Sequence, residues 1–263
     1  MTDVGQPLLT VDRVTVRFGG LVALRDVSLE VAPRTVVGVI GPNGAGKTTL
    51  FNVVCGFVRP KQGTLSWRGT TLRNHRPDQL AHFGIARTLQ GLGLFAGLTV
   101  LRNVMAGADR TARAGLAASV LGSRGAARSE LDLRTKAMTA LETLGIADTA
   151  DRLPGELPYG VQKRVALARA LAAEPELLLL DEPASGLSEQ DMNELVTHLR
   201  ALREDMAIML VEHHVDLVMR VCDRVVVLNS GVVIAEGDPE KVRNDPLVTE
   251  AYLGDPAREQ RGA

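Results

Sequence analysis

Residues 41–48 read GPNGAGKT, the spacing G-x-x-x-x-G-K-[ST] with which a chain wraps a phosphate group. Gly41, Gly44 and Gly46 let the backbone curl so that its N–H groups point inward around an anion. Pro42, Asn43 and Ala45 complete the loop, and Thr49 follows it. A helix opening at the end of the loop adds partial positive charge. Lys47 is placed to reach the β- and γ-phosphates as a point charge, and Thr48 to put its hydroxyl on Mg²⁺. In a chain with 26 glycines the four fixed positions coincide by chance with a probability of roughly half a percent. A second motif, LLLLDEP at 177–183, is a short apolar strand ending in two carboxylates. Strand ends of this kind face the ligand edge of an α/β sheet. Asp181 fits a residue that holds Mg²⁺ through water, and Glu182 a general base that takes a proton from attacking water. The alternative for this pair is that both carboxylates cap the turn before Pro183. The loop alone fits kinases, GTPases, transport ATPases and recombination ATPases equally.

Such groups need a buried sheet behind them. Residues 35–40 (TVVGVI), 177–180, 206–211 (MAIMLV) and 224–228 (RVVVL) are short and nearly all apolar, as strands buried on both faces are. Helical patterns lie between them at 47–54, 160–172 and 189–203. Alternating strands and helices predict a parallel α/β sheet. Residues 8–18 and 27–32 read as antiparallel strands at the start, and 231–237 as a final hairpin strand. Residues 107–151, rich in Ala, Arg and Leu, read as helices joined by small-residue loops near 122–127. The expected division is a nucleotide-binding α/β core at 1–90 and 163–237, a helical subdomain at 91–162, and a C-terminal helix and tail at 238–263.

Composition excludes several classes. The 263 residues carry 30 basic and 31 acidic side chains, so there is no basic excess of the kind duplex nucleic acid demands. Aromatics are 3 %, too few for single-strand stacking platforms. Cys55 and Cys222 are too few for a disulfide framework and suit a reducing compartment. No apolar run approaches the roughly 20 residues needed to span a bilayer. The first residues lack the long apolar core of a signal peptide. The expectation is a soluble intracellular protein.

In motif content and order the chain, over about 8–254, resembles the ATP-binding subunits of ABC transporters. GPNGAGKTT at 41–49 is similar to the Walker A loop, RTLQ at 87–90 to the Q-loop, and LPYGVQKRVALARAL at 157–171 to the signature motif with its helix. LLLLDEP is similar to Walker B, ASGLS at 184–188 to the D-loop, and VEHH at 211–214 to the switch segment. The resemblance implies a phosphate-loop NTPase core of the ABC ATPase type, with N-terminal antiparallel strands and an inserted α-helical subdomain. It implies ATP as nucleotide and Mg²⁺ held by Thr48, Gln90 and Asp181. It makes Phe18 the platform for adenine, Lys47, Glu182 and His213 the catalytic set, and Tyr159 and Gly160 the signature contacts made in trans. His214 reads as a surface or capping residue.

VRFGGLVAL at 16–24, RTLQGLGLFAGLTVLRNV at 87–104, LPYG at 157–160 and GDPEKVRNDPLVTEAYLG at 237–254 are similar to the branched-chain amino-acid branch, whose relatives also carry urea or short amides. The implied partners are a second ATP-binding cassette, identical or homologous, two transmembrane permease subunits and, through them, a solute-binding protein. No nucleic acid is expected. The implied location is the inner face of the cell membrane, peripheral and cytoplasmic. The apolar stretch 91–101 fits either a docking groove for permease helices or a local core. Pro158 stands where the family's signature has a serine and Val161 where it has glutamine, so Pro158 brings neither hydroxyl nor N–H. The competing class is an ABC ATPase acting in translation or DNA repair. Such proteins carry paired cassettes, long coiled coils or zinc modules, none of which is visible here.

Overall fold

The computed structural model describes residues 6–88, 91–108 and 124–253. It divides into two compact units, one of residues 1–80, 180–185 and 192–263, the other of residues 81–179 and 186–191.

The first unit opens with a hairpin. β1 (Leu9–Phe18) runs antiparallel to β2 (Leu21–Val31), from Leu9 opposite Val31 to Phe18 opposite Leu21. The alternation of buried and exposed residues breaks at Arg13, whose φ is 46° and whose N–H donates to Ser28 Oγ at 2.9 Å. This bulge shifts the register between Val11 and Val14 and turns Val14, Thr15 and Val16 inward in succession. β3 (Val36–Ile40), α1 (Lys47–Val54), β4 (Gln62–Trp67) and β5 (Thr70–Thr71) follow. β4 pairs with the other edge of β1, so the antiparallel sheet has the order β2-β1-β4-β5.

The second unit holds β6 (Ile85–Arg87), α2 (Val100–Ala108), α3 (Arg124–Thr143) and α4 (Tyr159–Leu171). The chain leaves it along β7 (Leu177–Asp181), whose first three residues pair in parallel with β6. The three helices pack on one another. Asn103 on α2 is fully buried. Its side-chain amide donates to Leu98 O at 3.0 Å, and its Oδ1 accepts the Phe95 N–H at 2.7 Å. Arg169 on α4 donates to Gly93 O at 2.6 Å. The apolar stretch 91–101 is thus tied to α2 and α4, with Phe95 itself left 55 % exposed.

Back in the first unit come α5 (Glu189–Leu202, which starts at the end of the second), β8 (Ala207–Val211), α6 (Val215–Val221), β9 (Arg224–Asn229), β10 (Val232–Gly237), α7 (Pro239–Arg243) and α8 (Pro246–Leu253). β3 pairs in parallel with β8 on one side, Val36 opposite Ile208, and with β9 on the other, Val37 opposite Arg224. β10 closes that edge antiparallel to β9. All five residues of β3 and all five of β8 are buried, which is why these segments are continuous apolar runs rather than alternating ones.

The division falls at 80/81 and 179/180, where the sequence reading expects 90/91 and 162/163. β6 goes with the helical unit because its pairing partner is the start of β7, and all of α4 goes there because it packs on α2 and α3. In the C-terminal segment α7 packs on β9 and β10, and α8 on β10, within the first unit. Among the described residues no helix is long and apolar enough to cross a membrane.

Candidate nucleotide site

The phosphate loop leaves the buried end of β3 and turns into α1. Gly46 caps that helix in the left-handed region, φ 104°, with no side-chain hydrogen bond to the helix end. A Cβ on Gly46 would lie 2.7 Å from Ala23 O, so both the backbone conformation and the space demand glycine. The loop is held from outside: the Gly231 N–H donates to Ala45 O at 3.0 Å, and Gly231 O accepts the Arg25 N–H at 2.8 Å. The first-turn N–H groups of α1 therefore open on a cleft rather than on a capping side chain. That cleft, about 480 Å³, is lined by Asn43 to Thr49 together with Phe18, Leu21, Glu182 and Ser230.

Lys47 is buried, and its ammonium group donates to Gly41 O at 2.7 Å and Pro42 O at 3.0 Å. Burial lowers its pKa from the usual lysine value, and the negative charges of Glu182 and Glu212 push it back up. Thr48 is exposed and Thr49 half-buried on the same helix turn. Phe18 is 51 % exposed at the tip of the β1–β2 hairpin, where it borders the cleft without being part of the core. Tyr252 on α8 approaches the loop from the C-terminal side. Burial raises its pKa, and a hydrogen bond from the backbone of Gly41 acts in the opposite direction.

Asp181 is the buried last residue of β7, and Glu182 follows it into the cleft. Glu182 has φ 48°, unusual for a side-chain-bearing residue, and its N–H donates to Val211 O at 2.9 Å. His213 is exposed just beyond β8 and does not line the cleft. His214 starts α6 and provides no side-chain cap. The two imidazoles face each other with centroids 4.2 Å apart. Gln90 lies outside the described residues.

Sequence reasoning passed over Glu212. This carboxylate is completely buried. Oε1 accepts the Ala184 N–H at 2.8 Å, and Oε2 accepts the N–H groups of His213 and His214 at 2.9 and 3.0 Å. Glu212, His213 and His214 bring possible metal-ligand atoms within 4.8 Å of one another. Both acceptor sites of Oε2 are already used by backbone N–H groups, which argues for a structural carboxylate. The only sequence signal was an acidic residue ending an all-apolar strand.

In the second unit Pro158 caps α4 with an extended backbone, and Tyr159 and Gly160 are its first residues. Tyr159 is 44 % exposed and Gly160 is buried. A Cβ on Gly160 would run into the Asp191 carboxylate, whose Oδ2 accepts the Ser188 hydroxyl at 2.5 Å. The 186–191 segment thus packs on the start of α4, which is why it belongs to this unit.

The family model for ABC transporters matches residues 24–185, and the one for the branched-chain amino acid ATP-binding cassette transporter matches residues 232–258. The high-affinity branched-chain amino acid transport ATP-binding protein LivG of Salmonella typhimurium is 41 % identical over 252 residues, 95 % of this chain and 99 % of the relative. BraF of Pseudomonas aeruginosa, described in the same terms, is 37 % identical over the same shares of the two chains. A crystal structure of a nucleotide-free ATP-binding cassette from an ABC transporter is similar with a TM-score of 0.82 and 31 % identity, covering 95 % of this chain and 100 % of that one. The phosphate loop on its buried parallel strands, the separate helical unit and these likenesses agree: the chain belongs to the ABC transporter family and is one of its nucleotide-binding, ATP-hydrolysing cassettes.

Proposed function

We propose that this chain energises an importer of branched-chain amino acids, docked on the inner face of the membrane through two permease subunits and paired with a second cassette. The observation that carries the substrate class is the C-terminal match at 232–258 to the branched-chain cassette model, joined to 41 % identity with LivG across nearly the whole chain. A solute-binding protein delivers the amino acid on the far side.

ATP enters the cleft with adenine against Phe18 and its phosphates in the Gly41–Thr49 loop. Lys47, already curled over its own loop carbonyls, exchanges those bonds for the β- and γ-phosphates. Thr48, Asp181 and Gln90 offer a hydroxyl, a carboxylate and an amide oxygen, the hard-oxygen donor set that suits Mg²⁺. When bound, that ion neutralises charge on the phosphate oxygens. Glu182 takes the proton of the attacking water, and His213 holds the γ-phosphate side of the arrangement in line. Tyr159, Gly160 and the N-terminus of α4 serve the nucleotide of the partner cassette. With Pro158 lacking both a hydroxyl and an N–H, that half-site rests on the Gly160 N–H and the helix end.

The test is transport. The chain is assembled with its permeases and partner cassette in vesicles, and uptake of labelled leucine is measured with ATP supplied on the cassette side. ATP-dependent leucine uptake, lost with Glu182→Gln, is the expected result. An assembly that turns over ATP but moves urea or another solute in place of leucine overturns the substrate class.

A further inference from the structure

Glu212 has no part in the scheme above, yet it sits between the two segments that carry it. Its Oε1 takes the N–H of Ala184, two residues after Glu182, and its Oε2 takes the N–H groups of His213 and His214. Its own N–H donates to Val39 O at 3.1 Å, next to the end of β3 from which the phosphate loop leaves. The side chain is 0 % exposed, so no water competes for these bonds. A carboxylate is the acceptor-only group that can receive donors on both oxygens at once. Bonds of this charged kind are also stronger than neutral ones.

The Glu182 backbone explains what the carboxylate holds. A left-handed conformation at a residue with a side chain persists only where its surroundings over-determine it. Here the constraints flank it: Val211 O accepts the Glu182 N–H, and Glu212 Oε1 holds Ala184 just beyond. Both anchors belong to consecutive residues at the end of β8. The same residue that fixes the turn after Glu182 also fixes the backbone of His213.

We propose that Glu212 is a positioning residue that locks the Glu182 turn and the His213 segment into one register, so that base and γ-phosphate contact are set together. The proposal rests on the roles given above to Glu182 and His213. Glutamine in place of Glu212 keeps the size but turns one acceptor into a donor facing an N–H. Either Ala184 or the two histidine amides must then let go.

The experiment measures ATP turnover in the assembled transporter for Glu212→Gln, His213→Ala, the double variant and Glu182→Gln. Glu212→Gln is expected to lower kcat about 10- to 100-fold with the KM for ATP within twofold of the parent. The double variant is expected to be no more than about threefold slower than the slower single one, because the two changes undo one arrangement. Hydrogen exchange should rise at the amides of Ala184, His213 and His214. If Glu212→Gln fails to fold, Glu212→Asp, with both oxygens kept but one methylene short, is measured in the same way with the same expected direction. Wild-type turnover in the folded variant, KM rising in step with the fall in kcat, or fully additive losses with His213→Ala overturns the proposal. If Glu182→Gln and His213→Ala themselves leave turnover unchanged, the reading of those two residues fails and takes this one with it. If they stall turnover and Glu212→Gln does not, this one alone falls.

Discussion

α1 in one unit and α4 in the other both begin without a side-chain cap and without an acidic residue in the first turn. Each therefore presents the same weak positive end. Their surroundings differ. In front of α1 the chain makes a glycine-lined concavity of about 480 Å³ with a buried lysine across it. In front of α4 stands Pro158, and the Asp191 carboxylate is packed against Gly160. The comparison teaches that a helix terminus becomes a phosphate site only when the chain also supplies a cavity and a cation. Where a carboxylate already leans on the helix start, as Asp191 does at α4, the positive end of the helix is partly answered within the chain itself.

The largest expected effect breaks the α1 side chemically. Glu182→Gln should bind ATP and lower turnover by about 10²- to 10⁴-fold in the assembled transporter, because an amide does not accept the proton. Turnover near wild type would remove Glu182 from the role of base. The second effect breaks binding itself. Lys47→Ala deletes the cation that Gly41 O and Pro42 O hold over the loop, and ATP affinity by calorimetry should fall by roughly 10²-fold. Unchanged affinity would mean that the glycine loop alone makes the site, and the contrast with α4 would reduce to shape.

Segments whose structure depends on near neighbours were legible in the sequence. The loop at 41–49 and its flanking strand and helix follow from contiguous residues, and α1 begins at Lys47 as the motif requires. The buried parallel strands were legible because burial on both faces leaves an unbroken apolar run. β4 was missed: Gln62, Gly63 and Thr64 are exposed, and only its pairing with β1, about 50 residues away in sequence, makes it a strand. The division between the units differs from the one read in the sequence for the same reason, since nothing local in Ile85–Arg87 announces a partner at Leu177–Leu179. Glu212 was quoted within its motif but not weighed. Its environment is created by an N–H 28 residues earlier, and acidic residues are usually solvated.

A steric pair of variants sharpens the comparison. Gly46→Ala places a Cβ against a backbone oxygen in a left-handed residue, and neither can yield easily. It should destabilise the protein by about 2–4 kcal/mol, read as a lower Tm. Gly160→Ala meets the end of the Asp191 side chain, which can swing away, so the loss should be about 1 kcal/mol. In an Asp191→Ala background the collision is gone, and alanine's better helix propensity of about 1 kcal/mol should make Gly160→Ala neutral or stabilising. If the Gly160→Ala effect is the same in both backgrounds, Asp191 is not what fills the start of α4.

The smallest expected effect concerns a support that the α1 site receives from far along the chain. Tyr252 on α8, within the segment matched to the branched-chain cassette model, lies close enough to Gly41, the first residue of the loop, for that backbone to act on its hydroxyl. Tyr252→Phe removes the hydroxyl and keeps the ring. A neutral polar contact of hydrogen-bonding kind contributes about 0.5–1.5 kcal/mol, so ATP affinity should weaken about 2- to 10-fold if the hydroxyl holds the loop in its binding shape. Burial moves the Tyr252 hydroxyl above its usual pKa, so the folded protein releases that proton only at higher pH than a free tyrosine does. The hydroxyl therefore stays neutral through the working range, and the ratio of affinities between parent and variant should be flat from about pH 6 to about pH 9. A ratio of one across that range would show that α8 touches the loop without holding it. A ratio that changes with pH would point to a titrating group other than Tyr252.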